Sequence, residues 1–475
     1  MVGVPGRSKG CQTCRRRRIR CASTGLQQLP PLRAPMRRLP GHHLHPATDP
    51  ETLEYDELLP IQDAPALAPA TVPAALPLTA FQDAIFITYT RSHLLRGVND
   101  YSALFQTLSP PSAHPLTSTS LIALSTTYFA LSHPSAPSLR LRSHARYATA
   151  LSAVNAALSA GPSPPIADAL TAVVALALHE FLAPTAPAAW LPHCLGLARL
   201  FELRGARAVA AHPGLRALFE TTRPVVIVAA LAARRRCVFA REEWRRVPWE
   251  GAGGGGAPKD RVHLLMDLLV EGPGLLEERA WVERGVGGRG EERRRALLRR
   301  ARELLRALEA WRREWEREYP STRTEVPPVS EPPVGLDAAG AVRPLWATVW
   351  HYGCLYFGNV TALYCATHIF LLAFARSVSE PGACVEGDAG ARALYDSATE
   401  ICRSVDYHLL DCQNGAGSFF LLFPLRMAWQ AFGSGASAEA KWVEQVLDNI
   451  SRGSRGRWLV ANHLAQPNLT NTGPS

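Results

Sequence analysis

Three thiols and a run of guanidinium groups share one short stretch, Gly10-Cys11-Gln12-Thr13-Cys14-Arg15-Arg16-Arg17-Arg18-Ile19-Arg20-Cys21. C-x2-C spacing sets two sulfurs close enough to grip one metal ion, and the interval to Cys21 is long enough for a short helix that brings a third sulfur back. The arginines lie on that helix. Thiolate ligation fixes the backbone, and a fixed backbone aims guanidinium groups at phosphates or guanine edges. The candidate metal ligands are therefore Cys11, Cys14 and Cys21, and the candidate DNA contacts are Lys9, Arg15, Arg16, Arg17, Arg18 and Arg20. A redox reading of Cys11-Gln12-Thr13-Cys14 needs a helix start inside a βαβ unit; here four arginines follow on a short arm with no sheet to support it.

The distribution of charge points the same way. The chain has 475 residues and a net charge of +10. Residues 1–48 hold ten Lys or Arg and no Asp or Glu, which leaves 41 charges of each sign in the remainder. An excess confined to one arm is the footprint of polyanion binding, not of a generally basic protein. Ten cysteines in 475 residues do not make a disulfide scaffold, and the first residues lack the apolar core of a signal peptide. A reducing compartment is expected.

The run C-Q-T-C-R-R-R-R-I-R-C, preceded by Gly6-Arg7-Ser8-Lys9-Gly10, resembles the first half of the fungal-type zinc binuclear cluster. The full pattern of that family is C-x2-C-x6-C, a loop and a second C-x2-C-x6-C, with six thiolates sharing two zinc ions. The resemblance implies a nuclear regulator of RNA polymerase II transcription. Its partners would be double-stranded DNA, read at CGG-type half-sites by a major-groove helix, a second subunit in a homo- or heterodimer, and the transcription machinery. The second half is absent, because no cysteine stands between Cys21 and Cys194. Three sulfurs cannot close the shells of two zinc ions, so one zinc or none is expected for the chain as written. Leu29, Leu32 and Leu39 stand at the missing spacing, each followed by a residue whose codon can begin with C. A one-base frame error between Cys21 and about His42 would turn such leucines into cysteines. A divergent cluster is another reading, and a single zinc held by Cys11, Cys14, Cys21 and one of His42, His43 or His45 is a third.

Residues 46–80 alternate Pro and Ala with scattered acids, which reads as a disordered linker. From Phe81 onward, segments rich in Ala and Leu and punctuated by Pro or Gly predict helices. They fall at about 84–108, 116–132, 138–160, 165–183, 188–204, 223–242, 260–270, 291–318, 341–377, 388–412, 416–432 and 437–451. The expected fold is mainly α: a zinc-cluster arm at 1–45, a linker at 46–80 and a large all-α body at 81–465, with loop insertions near 251–257 and 320–340. No alternating run argues for a sheet. Leu297, Ala301, Leu304, Leu308, Trp311 and Trp315 recur three or four apart and form one apolar stripe, read as core contact. Residues 353–375 carry no charge and are long enough to span a bilayer. Asn359 and His368 lie inside that segment, and its tyrosines are spread along it instead of gathered at the ends, so it reads as a buried helix and no membrane partner is expected.

The body carries a second resemblance. Trp190-Leu191-Pro192-His193-Cys194-Leu195-Gly196-Leu197, Phe201-Glu202-Leu203-Arg204-Gly205, His212-Pro213-Gly214, Leu218-Phe219-Glu220, Phe239, Trp244 and Pro248-Trp249-Glu250 are similar to the fungal-specific transcription factor domain. Phe423-Pro424-Leu425-Arg426 and the helix around Trp442 extend the likeness, which covers roughly residues 81–465. It implies a helical regulatory and interaction module without catalytic residues. An enzymatic constellation is not found by spacing either. His179-Glu180 lacks a second histidine at zinc spacing and reads as a helix-end pair, the glycines at 251–256 lack a following Lys-Ser or Lys-Thr, and Cys194 beside His193 reads as a small buried hydrophobe.

Overall fold

A computed structural model describes residues 81–94, 114–159, 165–250, 259–285, 290–329, 334–336, 342–379, 387–410, 413–453 and 458–466. The chain divides into two units, Met1–Ala74 and Ala75–Ser475, and every described residue belongs to the second. The expected arm and linker lie outside the described residues. Among the described residues the fold is mainly α, with helix making up 80% of them.

The first helices are α1 (Gln82–His93), α2 (Pro115–Ser132), α3 (Pro137–Ser159), α4 (Ile166–Leu182), α5 (Trp190–Arg204), α6 (Ala206–Ala211) and α7 (Pro213–Ala233). Two of them start in the same way. His114 and His212 accept from the backbone N–H groups of Leu116 (3.2 Å) and Leu215 (3.4 Å), and Pro115 and Pro213 occupy the first turn, where no backbone donor is needed. Helix α4 is mostly apolar and buried on every side. Residues 169–182 are all buried, which makes α4 the central post against which α2, α5 and α7 pack. Gly205 ends α5 at φ 84°, a left-handed conformation that glycine adopts without strain, and α6 starts immediately after it.

Next come α8 (Glu242–Glu250), α9 (Arg261–Leu269), α10 (Gly272–Glu283) and α11 (Gly290–Glu318). The six-residue stripe of α11 is wholly buried. It packs on Leu371, Phe374 and Ala375 of α12 (Leu355–Val378), on Leu265 of α9 and on Leu275 of α10, so core contact is its role. Each such leucine contributes about 1.5–3 kcal/mol by leaving water. Helix α12 is long and apolar enough to cross a membrane, yet it lies in the core between α11, α13 (Gly387–Arg403) and α15 (Asn414–Ala431). Its inner polar groups find partners on neighbouring elements: Asn359 Oδ1 lies 3.1 Å from His408 Nε2, and His368 Nδ1 lies 2.8 Å from Ser397 Oγ.

Several expectations need correction. Residues 341–377 are not one helix. They begin with β3 (Val342–Pro344) and β4 (Val349–Tyr352), and the 320–340 region carries β1 (Arg323–Val326) and β2 (Val334–Leu336). The antiparallel pair β1 and β4 runs in register Arg323↔Tyr352 to Val326↔Val349, and β2 pairs with β3 from Val334↔Pro344 to Leu336↔Val342. The helix expected at 223–242 instead begins at Pro213 and stops at Arg234, whose φ is 52°; a 3-10 turn (Val238–Ala240) and α8 follow. The 388–412 segment breaks after Arg403, and α14 (Val405–His408) is separate. The helix expected at 84–108 is described only as far as α1, and its remainder lies outside the described residues. The fold closes with α16 (Ala438–Arg452) and a 3-10 turn (Leu459–His463).

The close approach of α15 to α14 depends on one glycine. A Cβ placed at Gly417 would stand 2.0 Å from the His408 carbonyl oxygen. Gly417→Ala is therefore expected to cost about 1–3 kcal/mol or more through backbone displacement. Gly196→Ala on α5, where nothing lies within 4 Å of the added carbon, serves as the control. Equal melting temperatures for the two variants would refute the close approach.

Candidate functional site

Lys9, Cys11, Cys14, Arg15, Arg16, Arg17, Arg18, Arg20 and Cys21 all lie outside the described residues, as do His42, His43 and His45. Among the described residues no group of three or more His, Cys, Asp or Glu is placed to hold a metal ion.

Glu180 and His193 join Tyr147 and Thr185 in a polar tie between α3, α4 and α5, with His179 and Cys194 buried beside it. Tyr147 donates to Glu180 Oε1 at 2.6 Å, and the Thr185 hydroxyl donates to the same oxygen at 2.9 Å. Glu180 Oε2 accepts from the Thr185 backbone N–H at 2.8 Å, and His193 Nε2 lies 3.0 Å from the Tyr147 hydroxyl. His179 and Glu180 occupy the last turn of α4, as a helix-end pair, and both are buried. His179 stacks on Tyr147 at 3.8 Å, and neither of its ring nitrogens has a partner among the described residues. Burial first, then the neighbouring His144 and His193, push its pKa down to about 3. Burial drives the Cys194 thiol up to about 12, so it stays protonated and inert.

A second polar group sits where α7, α8 and α9 meet. Arg223 is fully buried; its Nη2 donates to Asp267 Oδ1 at 2.5 Å and its Nη1 to the His263 carbonyl at 2.9 Å. Lys259 donates to Asp267 Oδ2 at 2.5 Å. Arg216, Arg223 and Lys259 all lie over the Trp249 ring, at 5.3, 5.8 and 5.0 Å from its centroid. One carboxylate thus balances two cations beneath an indole.

A cavity of about 550 Å³ opens between α4, α5, α7, α9, α10, α12, α13, α15 and the final 3-10 turn. Its walls are apolar, with Phe181, Trp190, Phe370 and Phe419 among them. Pro224 and Pro424, each inside a helix, also line it. A proline there removes one helical hydrogen bond and disturbs the regular ladder. The charged residues of the lining are Arg234, Arg279 and Arg426, and no acid is among them. Arg279 is engaged by Glu283 (3.1 Å) and by Ser377 Oγ (2.9 Å). Arg426 Nη1 donates to the Gln466 carbonyl at 2.7 Å and to that of Leu464, and its guanidinium lies 4.9 Å from the Trp429 ring centre. Burial lowers the Arg426 pKa. A roomy apolar cavity with a few polar groups is the ordinary form of a small-molecule site. Spacing does not reveal it, because its lining is gathered from eight helices; the legible signal is Pro424 and Arg426 inside the otherwise apolar α15.

No family model matches the chain, and neither a curated protein nor a solved structure matches it.

Proposed function

We propose that this chain is a DNA-binding transcription regulator of the fungal zinc-cluster type, and not an enzyme. It would act in the nucleus through a basic arm, with the helical body as its regulatory and partner-binding module. The observation that carries this reading is the C-x2-C-x6-C run with five arginines between Cys14 and Cys21, in an arm that holds all of the excess charge. Cys11, Cys14 and Cys21 would hold zinc, which would fix the helix that carries Arg15 to Arg18 and Arg20. The mainly α body is compatible with the role proposed for it.

A second reading rests on the empty interval between Cys21 and Cys194. In that reading the chain is a helical interaction protein that has lost sequence-specific DNA binding along with its second half-cluster. Sequencing the transcript across residues 20–45 separates the two: a restored C-x2-C-x6-C supports the first, and an unchanged frame supports the second.

Binding is testable directly. Each phosphate contact steepens the slope of log affinity against log salt by about 0.9. Replacing Arg15 and Arg16 with alanine is therefore expected to flatten that slope by up to about two. Without a second half-cluster the helix is not held at a fixed angle, so the chain as written should bind a CGG duplex and a scrambled duplex alike. A clear preference for CGG would show that three cysteines orient the helix. Absence of any salt-dependent binding would overturn the DNA reading.

A further inference from the structure

We infer that the cavity in the helical body binds an apolar molecule carrying a single carboxylate, held at Arg426. The inference stands on the body alone and holds whether or not the arm binds DNA. Sign is the first argument: every charged side chain of the lining is cationic, within walls that are otherwise largely apolar. An apolar body with an anionic end satisfies both features, whereas a neutral or cationic amphiphile satisfies only the first or opposes the second.

Arg426 is the second argument. Its Nη1 serves two neutral backbone carbonyls, of Leu464 and Gln466, and among the described residues no carboxylate pairs with it. Nε and Nη2 carry no hydrogen bond to a described residue, and that edge of a guanidinium is the one that takes a carboxylate through two parallel bonds. Arg279, by contrast, already has Glu283. Position is the third argument. Phe419, Phe423, Arg426 and Gln430 recur four, three and four apart, so one face of α15 lines the cavity. Phe419 meets Phe181 at 5.3 Å, and Phe181 stacks on Trp190 at 5.3 Å. The aromatic wall therefore lies about 10 Å along the helix from the guanidinium, seven residues at the helical rise.

The test compares three probes with one tail, dodecanoate, dodecan-1-ol and dodecyltrimethylammonium, titrated into the full chain by calorimetry. Dodecanoate is expected to bind at least about ten-fold more tightly than the alcohol, the value of one charge-assisted hydrogen-bonded contact, and the ammonium more weakly than either. Arg426→Gln should erase the difference between acid and alcohol while leaving the alcohol's own affinity in place. Arg426→Lys, which keeps the charge, should retain the preference. Ala232→Trp, filling the cavity from α7 away from the carbonyls that Arg426 holds, should abolish binding of all three while helical circular dichroism is unchanged; this variant carries the test should Arg426→Gln not fold. Equal affinities for acid and alcohol in the unmodified chain would overturn the inference. So would an acid preference that survives Arg426→Gln, unaltered binding in Ala232→Trp, or no binding of dodecanoate.

Discussion

Replacing Asp267 with asparagine is expected to cost about 3–5 kcal/mol of stability, enough to abolish most of a typical domain's margin. Arg223 has no exposed side-chain surface, and Lys259 is 11% exposed. Both cations depend on the one carboxylate, Arg223 through Oδ1 and Lys259 through Oδ2. The amide keeps the shape and part of the hydrogen bonding but removes the charge, and it leaves a buried guanidinium beside a second cation with only the His263 carbonyl and the faces of Phe219 and Trp249 to offset it. Burial already lowers the pKa of Arg223, and the attraction of Asp267 opposes that shift. Denaturant titration measures the loss. Glu316→Gln is the control, since Glu316 pairs with Arg312 at an exposed site and such pairs are worth about 0–1 kcal/mol. Adding Arg223→Met to Asp267→Asn should return part of the stability, because the charge left unpaired is then gone. A loss from Asp267→Asn no larger than that of the control would show that the cluster is not held by this carboxylate.

The sequence states its helices where apolar residues recur at helical spacing over several turns. The stripe from Leu297 to Trp315 and the uncharged run that becomes α12 are both of this kind, and both are buried as read. Shorter elements leave no such mark. Helix α8 has nine residues, two of them Arg and three Glu, and it is held by the burial of Trp244 and Trp249 in a cluster with Phe219. Helix α10 begins Gly272-Pro273-Gly274, which reads as a loop, although a proline in the first turn is compatible with a helix start. Pro224 reads as a boundary but sits inside α7, because the packing of Leu218, Phe219, Val226 and Ile227 outweighs one missing hydrogen bond. The strands β1 and β4 are four residues each and pair across a long gap, so neither announces its partner locally. The arm is the reverse case: the chemistry proposed for it rests on spacing alone, and its residues lie outside the described ones. The cavity is a tertiary property, and only Phe423-Pro424-Leu425-Arg426 hints at it.

Lowering the pH from 6.5 to about 5 is expected to unfold the body, because three buried histidines refuse the protons that the unfolded chain accepts. Burial pushes His179 and His263 down to about 3 and His408 down to about 4. Nearby charges reinforce burial at His263, where Arg223, Lys259 and Arg216 surround the ring; at His408 the Ser404 carbonyl opposes it. In the unfolded chain each titrates near 6.5. Above that value neither state binds these protons and the stability is fully present. Below it only the unfolded state binds them, so stability falls by about 1.4 kcal/mol per pH unit for each group, or about 4 for the three, until the folded pKa values are reached. The unfolded groups are half protonated at pH 6.5, so one and a half units remove about 5 kcal/mol, comparable with the whole stability of a domain. His193 and His368 shift in the same direction and add to the slope. The measurement is unfolding free energy against pH by denaturant titration, and a flat profile between pH 6.5 and 5 would sink the account. His179→Phe sharpens it: phenylalanine preserves stacking on Tyr147 and removes two buried nitrogens that have no partner among the described residues. That variant should be more stable at neutral pH by about 1–3 kcal/mol, and its slope should fall by about a third, moving the acid transition to lower pH. A stabilised variant with an unchanged slope would mean that His179 is protonated in the folded state, held by a partner other than those described.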